Sequence, residues 1–166
     1  EVMVIALSKF FRISITDETN RISLAEEVEH AKNYLLTQQI RYHNQFKFVF
    51  EIDENVLETK ILKLSIQPLV ENAIYHGISL EDDFAEILVK AYLDNGFLKI
   101  SVRNDGYGIS DTKIKEIYET FTNQRITKSI GLKNVYQRLK LFYGEFADLT
   151  IESELDEYTI VTMSFP

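Results

Sequence analysis

The chain has 166 residues, a formal net charge of −8, two prolines, six glycines and no cysteine. This length suggests one domain with room for a helical appendage, and the acidic charge argues against general nucleic-acid binding because it repels a phosphate backbone. The lack of cysteine excludes disulfides and cysteine–zinc sites, and no apolar run approaches the ~20 residues needed to cross a bilayer.

The first predicted region is helical and extends from residue 1 to about residue 45. Ser23-Leu24-Ala25-Glu26 is a capping-box pattern, in which Ser23 begins a helix and Glu26 reaches back to it. Apolar residues follow at roughly helical spacing, and residues 16–20 are expected to form a loop between two helices. Because the first residues already suit a helix, we expect the chain to continue upstream in a longer protein.

Alternation of apolar and polar residues predicts about five strands. Asp94-Asn95-Gly96 is a strong hairpin signal, and a final hairpin is expected around Asp156-Glu157. The strands are expected at residues 46–52, 87–92, 98–102, 149–154 and 158–165.

The predicted helices lie between these strands. Residues 62–76 are expected to form a helix that ends at Gly77, with Pro68 in its first turn or at a kink. Residues 109–130 are polar, with a short helix near residues 111–118, and so long a polar stretch is usually functional. A last helix ends at Gly144 and carries an apolar stripe of Leu132, Val135, Leu139 and Phe142. Together the elements indicate an α+β fold, with helices on one face of a mixed sheet.

The first candidate site lies on the helix before Gly77. Asn72 and His76 are four residues apart and therefore share a face. The Asn72 side-chain oxygen could hold a hydrated Mg²⁺, which prefers hard oxygen ligands and keeps several waters. An exposed polar face explains this segment equally simply, and on its own that is the favoured interpretation.

The second candidate follows a predicted strand at Asn104-Asp105-Gly106-Tyr107-Gly108. The two glycines would let the backbone approach a ligand closely, and a polar side chain at the strand end could accept a hydrogen bond from an adenine amino group. An ordinary turn is the alternative, because Asn-Asp-Gly is common turn chemistry.

The third candidate is Ser129-Ile130-Gly131-Leu132, where a glycine opens a helix after a polar loop. Free backbone N–H groups at a helix start, together with the helix dipole, suit phosphate. Arg125, Lys128 and Lys133 add positive charge in an otherwise acidic chain. A simple helix boundary is the alternative.

These three segments, in this order, resemble the GHKL (Bergerat-fold) ATP-binding domains of histidine kinases, gyrase-type topoisomerases and heat-shock chaperones. The resemblance is closest to LytS-type sensor histidine kinases and covers nearly the whole chain. It implies a two-layer α/β sandwich. Residues 64–77 (LSIQPLVENAIYHG) stand as the N box, residues 104–109 (NDGYGI) as the G1 box and residues 131–139 (GLKNVYQRL) as the G2 box.

The resemblance also implies the ligands, which are ATP and Mg²⁺. Asn72 would coordinate the metal, Asn104 would accept from the adenine amino group, and Gly131 and Leu132 would border the phosphates. Residues 109–130 would form the ATP lid. The full nucleotide-binding set is Asn72, His76, Asn104, Asp105, Gly106, Gly108, Ser129, Gly131 and Leu132.

Domain organisation and partners follow from the same resemblance. Residues 1–45 would be the helical remnant of the dimerisation and phosphoacceptor region, and residues 46–166 the ATP-binding domain. The family's acceptor histidine lies upstream in a Pro-His-Phe motif, a context that no histidine here has. His30 is expected at the surface and His43 exposed, so we expect no self-phosphorylation and no catalytic residue beyond the nucleotide site. Expected partners are the phosphoacceptor helix of the same protein, a cytoplasmic response regulator and, in a membrane-anchored full-length protein with this domain in the cytoplasm, a second copy.

The chain departs from the family pattern at four positions. Asn104 stands where the family usually has Asp, Tyr75 where a basic residue is frequent, and Ser129 where a glycine is expected. These departures leave open a degenerate nucleotide-binding pseudokinase, a module that uses the fold for interaction. Pro68 occupies the place of the Glu that serves ATP-hydrolysing relatives as general base. Glu71 adjoins Asn72 but is turned about 100° away on an ideal helix, which argues against a gyrase- or chaperone-type ATPase.

Overall fold

The structure is a computed structural model that describes residues 3–4, 21–78, 85–123 and 130–166. It contains a five-stranded sheet and a separate two-stranded sheet. The strands are β1 (Arg21–Ser23), β2 (Phe46–Ile52), β3 (Lys60–Leu62), β4 (Ala85–Asp94), β5 (Phe97–Asp105), β6 (Asp148–Glu154) and β7 (Tyr158–Phe165). The helices are α1 (Leu24–Arg41), α2 (Ile66–Asn72), α3 (Asp111–Thr122) and α4 (Ile130–Tyr143).

The main sheet has the strand order β2-β4-β5-β7-β6 and is mixed. Strands β2 and β4 are parallel, whereas the other neighbouring pairs are antiparallel. Buried residues alternate along β4, β5 and β7, so one face of each strand packs into the core. The predicted α+β fold, its five strands and both hairpins are confirmed.

The two-stranded sheet was not predicted, and it corrects the start of the helix expected at residues 62–76. Arg21 pairs with Leu62 in this sheet, so Leu62 belongs to β3. A short apolar run suits a strand as well as a helix, and here pairing with β1 decides the outcome. The helix α2 begins only at Ile66, which places Pro68 in its first turn, and a π-helical turn at Ala73–Gly77 continues it.

Helix α1 starts as predicted, with both bonds of the capping box. The backbone N–H of Glu26 donates to Ser23 Oγ at 3.2 Å, and the backbone N–H of Ser23 donates to Glu26 Oε2 at 2.8 Å. Its apolar face joins the same hydrophobic core as the main sheet. His43 is exposed as expected, but the expectation of a surface His30 is wrong, because His30 is fully buried on the packed face of α1. The loop expected at residues 16–20 lies outside the described residues.

The last two helices form close to where they were predicted. Helix α3 extends the short helix expected near residues 111–118, and α4 buries Leu132, Val135 and Leu139. Phe142 is 40% exposed, so its place in the predicted stripe is wrong. Tyr143 packs inward in its stead, with its ring stacked 4.3 Å from that of Phe165. Within the described ranges, no helix has the length and apolar character required of a membrane span.

Candidate functional site

A pocket lies between the N-box segment (α2 with its π-helical turn) and the start of α4. It gathers four of the residues predicted to bind nucleotide, from segments about sixty positions apart in the chain. These four are Asn72, His76, Gly131 and Leu132. The other lining residues are Pro68, Glu71 and Tyr75.

Glu71 lines the pocket together with Asn72, although neighbouring residues on an ideal helix are turned about 100° from each other. The pocket covers a broad face of the N-box segment, from Pro68 to His76, and this face includes both residues. The Gln67 amide donates to Glu71 Oε1 at 2.7 Å and restrains that carboxylate. One wall of the pocket therefore includes an Asn and a Glu, residues whose side chains carry the hard oxygen ligands that a divalent cation prefers.

The predicted adenine-contacting residues Asn104, Asp105, Gly106 and Gly108 do not line this pocket. They lie at the end of β5 and in the turn after it, next to Gly77 at the end of the N box. Asn104 is only 2% exposed, and a Cβ added to Gly77 would lie 2.2 Å from its Nδ2 atom. The backbone N–H of Tyr107 also donates to the Gly77 carbonyl at 3.1 Å. The G1 turn is thus docked directly on the end of the N box.

The two G1 glycines approach the protein's own backbone. A Cβ on Gly106 would lie 1.9 Å from the Gly77 carbonyl oxygen, and one on Gly108 would lie 2.1 Å from the Glu154 carbonyl oxygen. The sequence-based interpretation assigned this closeness to a ligand. In the structure it joins the G1 turn to the N box on one side and to the β6–β7 hairpin on the other.

The start of α4 lies opposite Asn72. Gly131 is exposed there, and the nearest atom to a Cβ at this position would be Pro68 Cβ at 3.9 Å. Lys133 donates through Nζ to the carbonyl of Asn123 at the end of α3, so this predicted source of positive charge also ties α4 to α3. Ser129, Arg125 and Lys128 lie outside the described residues.

Sequence reasoning missed Glu27, a fully buried carboxylate on α1. It accepts hydrogen bonds from the backbone N–H groups of Leu64, Ser65 and Ile66 at 3.1, 2.7 and 2.9 Å. These groups belong to the turn that leads into α2. A signal was present in the sequence, because Glu27 falls between Leu24 and Ala31 at helical spacing, on the apolar face of α1.

Arg138 of α4 contacts the same turn from another side. Its guanidinium donates to the Leu64 carbonyl at 3.1 Å and to the Lys63 carbonyl at 2.5 Å. Burial raises the pKa of Glu27 above its ordinary value of 4.5, while the three backbone N–H groups and the Arg138 charge lower it, and burial prevails.

Tyr34 makes a second contact between α1 and the N box. Its hydroxyl lies near that of Tyr75, a residue of the pocket wall. Burial first, and then the neighbouring Tyr75 hydroxyl and the nearby Glu71 charge, raise the pKa of Tyr34, so its hydroxyl stays protonated at neutral pH.

The raised pKa of Glu27 predicts a pH-dependent stability difference. We expect the free energy of unfolding of the wild-type chain, relative to Glu27→Gln, to fall as pH rises from below 4.5 through the folded-state pKa. The reason is that the folded chain binds the Glu27 proton more tightly than the unfolded chain, so ionisation costs stability. Urea denaturation of both chains across this pH range measures the difference, and a difference that is flat with pH contradicts the prediction.

Comparison with known families gives two matches along the chain. Residues 1–46 match the family described as Histidine kinase, and residues 58–166 match the family described as Histidine kinase-, DNA gyrase B-, and HSP90-like ATPase. The second match includes both pocket walls and the G1 turn.

Two curated relatives cover most or all of the chain. The chain is 34% identical over 153 residues to "Sensor protein LytS" of Staphylococcus saprophyticus, which covers 92% of this chain and 26% of the relative. It is 28% identical over 167 residues to "Sensor protein kinase HptS" of Staphylococcus aureus, which covers 100% of this chain and 32% of the relative. The chain therefore spans about a quarter to a third of the length of these relatives.

Solved structures agree on the fold. The catalytic domain of histidine kinase ThkA superposes with a TM-score of 0.68 at 18% identity, covering 90% of this chain and 97% of that chain. The histidine kinase domain of a blue-light activated kinase from Erythrobacter litoralis superposes with a TM-score of 0.63 at 16% identity, covering 99% of this chain and 78% of that chain.

Proposed function

Because this chain belongs to the family of histidine kinase-, DNA gyrase B- and HSP90-like ATPases, we propose that it binds ATP with Mg²⁺ in the pocket described above. The observation that carries the proposal is the pocket itself, which brings Asn72 and His76 of the N box against Gly131 and Leu132 of the G2 box. One wall supplies oxygen ligands for a metal ion, and the other supplies the start of a helix, where backbone N–H groups suit phosphate.

The residues present fit this ligand pair. The Asn72 side-chain oxygen is a hard ligand for Mg²⁺, which completes its shell with phosphate oxygens and water. Gly131 adds no side chain beside the pocket, so phosphate oxygens have access to the backbone at the start of the 14-residue helix α4. Mg²⁺ would neutralise charge on the phosphates. The residues proposed to contact adenine belong to the G1 box and are Asn104, Asp105, Gly106 and Gly108.

The proposed reaction is transfer of the γ-phosphoryl group of ATP to a histidine upstream of residue 1, and from there to a response regulator. The match of residues 1–46 to the histidine kinase family supports this reaction, as does the similarity of 92% or more of the chain to a sensor protein and to a sensor protein kinase. The chain's own residues would act by positioning the nucleotide and stabilising charge, which is the main protein contribution to phosphoryl transfer. The acceptor helix, the regulator and a second copy of the protein are the proposed partners.

ATP hydrolysis is a second candidate, and one observation favours it. Glu71 is one of the residues that line the pocket, and a carboxylate side chain at this position could activate water. Pro68, at the position where hydrolysing relatives have their base, has no acid–base function. Steady phosphate release that disappears in Glu71→Gln would support hydrolysis, whereas absence of release alongside ATP binding favours the kinase. A degenerate pseudokinase would neither release phosphate nor transfer the γ-phosphoryl group.

Calorimetric titration with ATP tests the proposed site. We expect the wild-type chain to bind ATP in the presence of Mg²⁺ and Asn72→Ala to weaken this affinity by about 10–100-fold, the usual cost of losing a group that orients a metal. Without Mg²⁺ the effect of Asn72→Ala should be small, whereas Asn104→Ala should weaken binding with or without the metal.

Asn55→Ala is the matched control, because Asn55 is an exposed amide in the short turn after β2. It should leave ATP affinity unchanged. A folded wild-type chain that shows no heat of binding with ATP and Mg²⁺ would reject the proposed function and favour the pseudokinase.

A further inference from the structure

We propose that helix α1 positions the nucleotide site, with Glu27 fixing the start of the N-box helix and Tyr34 contacting its end. Glu27 is then a positioning residue that acts through α2 on Asn72. This inference rests on the proposed function, since it concerns the same pocket, but the contacts that carry it lie outside the pocket.

Helix α2 has no cap of its own. Ser65 stands at its N-cap position, but the Ser65 hydroxyl donates to the Leu62 carbonyl at 2.7 Å and caps no helical N–H. The first N–H groups of a helix need an acceptor when they are buried. Glu27 Oε1 supplies that acceptor for Ser65 and Ile66, so a residue 38 positions earlier replaces the local cap. The direction in which α2 leaves the turn thus depends on α1.

The turn itself requires outside support. Leu64 has a φ of 57°, a left-handed conformation that costs about 1 kcal/mol or more for a residue with a Cβ. Its N–H is held by Glu27 of α1, and its carbonyl is held by Arg138 of α4. Since α4 begins at the G2 side of the pocket, Leu64 is held by α1 on one side and by a helix that lines the site on the other.

The second contact extends this support along the N box. Tyr34 lies seven residues after Glu27, two turns along the same face of α1. Its hydroxyl lies near that of Tyr75, which is in the pocket wall three residues beyond Asn72. Asn72 therefore lies between two points that α1 fixes, one before α2 and one in the π-helical turn after it.

A role in packing alone is a weak explanation for Glu27. A buried carboxylate loses its hydration, and well-packed apolar residues of similar volume are often as stable or more stable. What the carboxylate adds is directional, because three N–H groups are aimed at its two oxygens. Such directionality serves placement of the segment that follows.

The test is a double-mutant cycle in the whole 166-residue chain. Glu27→Gln is expected to weaken affinity for Mg²⁺-ATP about tenfold, while in an Asn72→Ala background the same change should alter affinity by no more than about twofold. Glu29→Gln is the matched control, because it removes an exposed carboxylate two residues along the same helix and should leave affinity unchanged. Unfolding in urea, measured in parallel, establishes that each variant is folded during the titration.

The outcomes separate positioning from packing. A folded Glu27→Gln chain with wild-type affinity, or an equal tenfold loss in the Asn72→Ala background, overturns the proposal. If Glu27→Gln does not fold, Tyr34→Phe provides the test, because it removes only a hydroxyl. We expect it to weaken affinity for Mg²⁺-ATP about threefold. Unchanged affinity would overturn the proposal.

Failure of the proposed function would be visible separately. If the wild-type chain binds no ATP, amide exchange of Leu64, Ser65 and Ile66 still reports on Glu27. Faster exchange at these amides in Glu27→Gln, with the rest of α1 and the sheet unchanged, would support the placement of α2 by Glu27. The role of Glu27 in nucleotide binding would be rejected. Unchanged exchange would overturn both parts.

Discussion

Gly77→Ala is expected to lower the free energy of unfolding by about 3 kcal/mol, which for a chain of this size is a fall of about 9 °C in Tm. The added Cβ would lie 2.2, 2.4 and 2.6 Å from Nδ2, Cγ and Oδ1 of Asn104. Because Asn104 is 2% exposed and its side chain is short, it has little room to move away. The N box and the end of β5 would have to separate.

Asn104→Ala provides the partner for a thermodynamic cycle. If the cost of Gly77→Ala is the collision with Asn104, the double variant should be more stable than the sum of the two single changes predicts. ATP affinity should behave differently, since Asn104 is proposed to contact adenine, and should stay weak in the double variant. Urea denaturation and calorimetry measure the two quantities, and strictly additive stability costs would exclude the collision as the cause.

The fold could be predicted largely because its signals are local. Alternation over residues 46–52 identifies a half-buried strand without reference to the rest of the chain, and Asn95-Gly96 identifies the hairpin between β4 and β5. The pairing of β1 with β3 joins residues about forty positions apart over three residues each. So short a strand has no periodicity to detect, and only the tertiary structure decides that Leu62 is not helical.

The candidate site also contains residues that local signals identify and residues that only the tertiary structure identifies. Helical spacing places Asn72 and His76 together, and the order of the three boxes adds Gly131 and Leu132 to the predicted site. The role of Glu27 depends on which segment the buried face of α1 meets, and no spacing within α1 contains that information.

The two G1 glycines have a structural role in addition to the one predicted from the motif. Close approach of the backbone to a ligand is one reason for glycine, but here Gly106 meets the Gly77 carbonyl and Gly108 meets the Glu154 carbonyl. Gly77, Gly106 and Gly108 therefore form a chain of close contacts from the N box through the G1 turn to the β6–β7 hairpin. The proposed nucleotide site, which includes the N box and the G1 turn, would depend on these contacts for its shape.

Gly108→Ala tests the last contact in this chain and is expected to cost about 4 kcal/mol of stability. Two effects add at this position. The residue has a φ of 65°, which an L-residue with a Cβ rarely adopts, and the Cβ would lie 2.1 Å from the Glu154 carbonyl oxygen, a backbone atom fixed by the β6–β7 ladder.

Gly144→Ala separates the two effects. Gly144 has a φ of 77°, close to that of Gly108, but nothing lies within 4 Å of a Cβ added there, so only the conformational cost of about 1 kcal/mol is expected. Urea denaturation of both variants gives the comparison. A Gly108→Ala cost well above that of Gly144→Ala assigns the surplus to the collision with the hairpin. Equal costs would mean that the G1 turn can move away from β6, and that close contact with the hairpin does not hold the residues proposed to contact adenine.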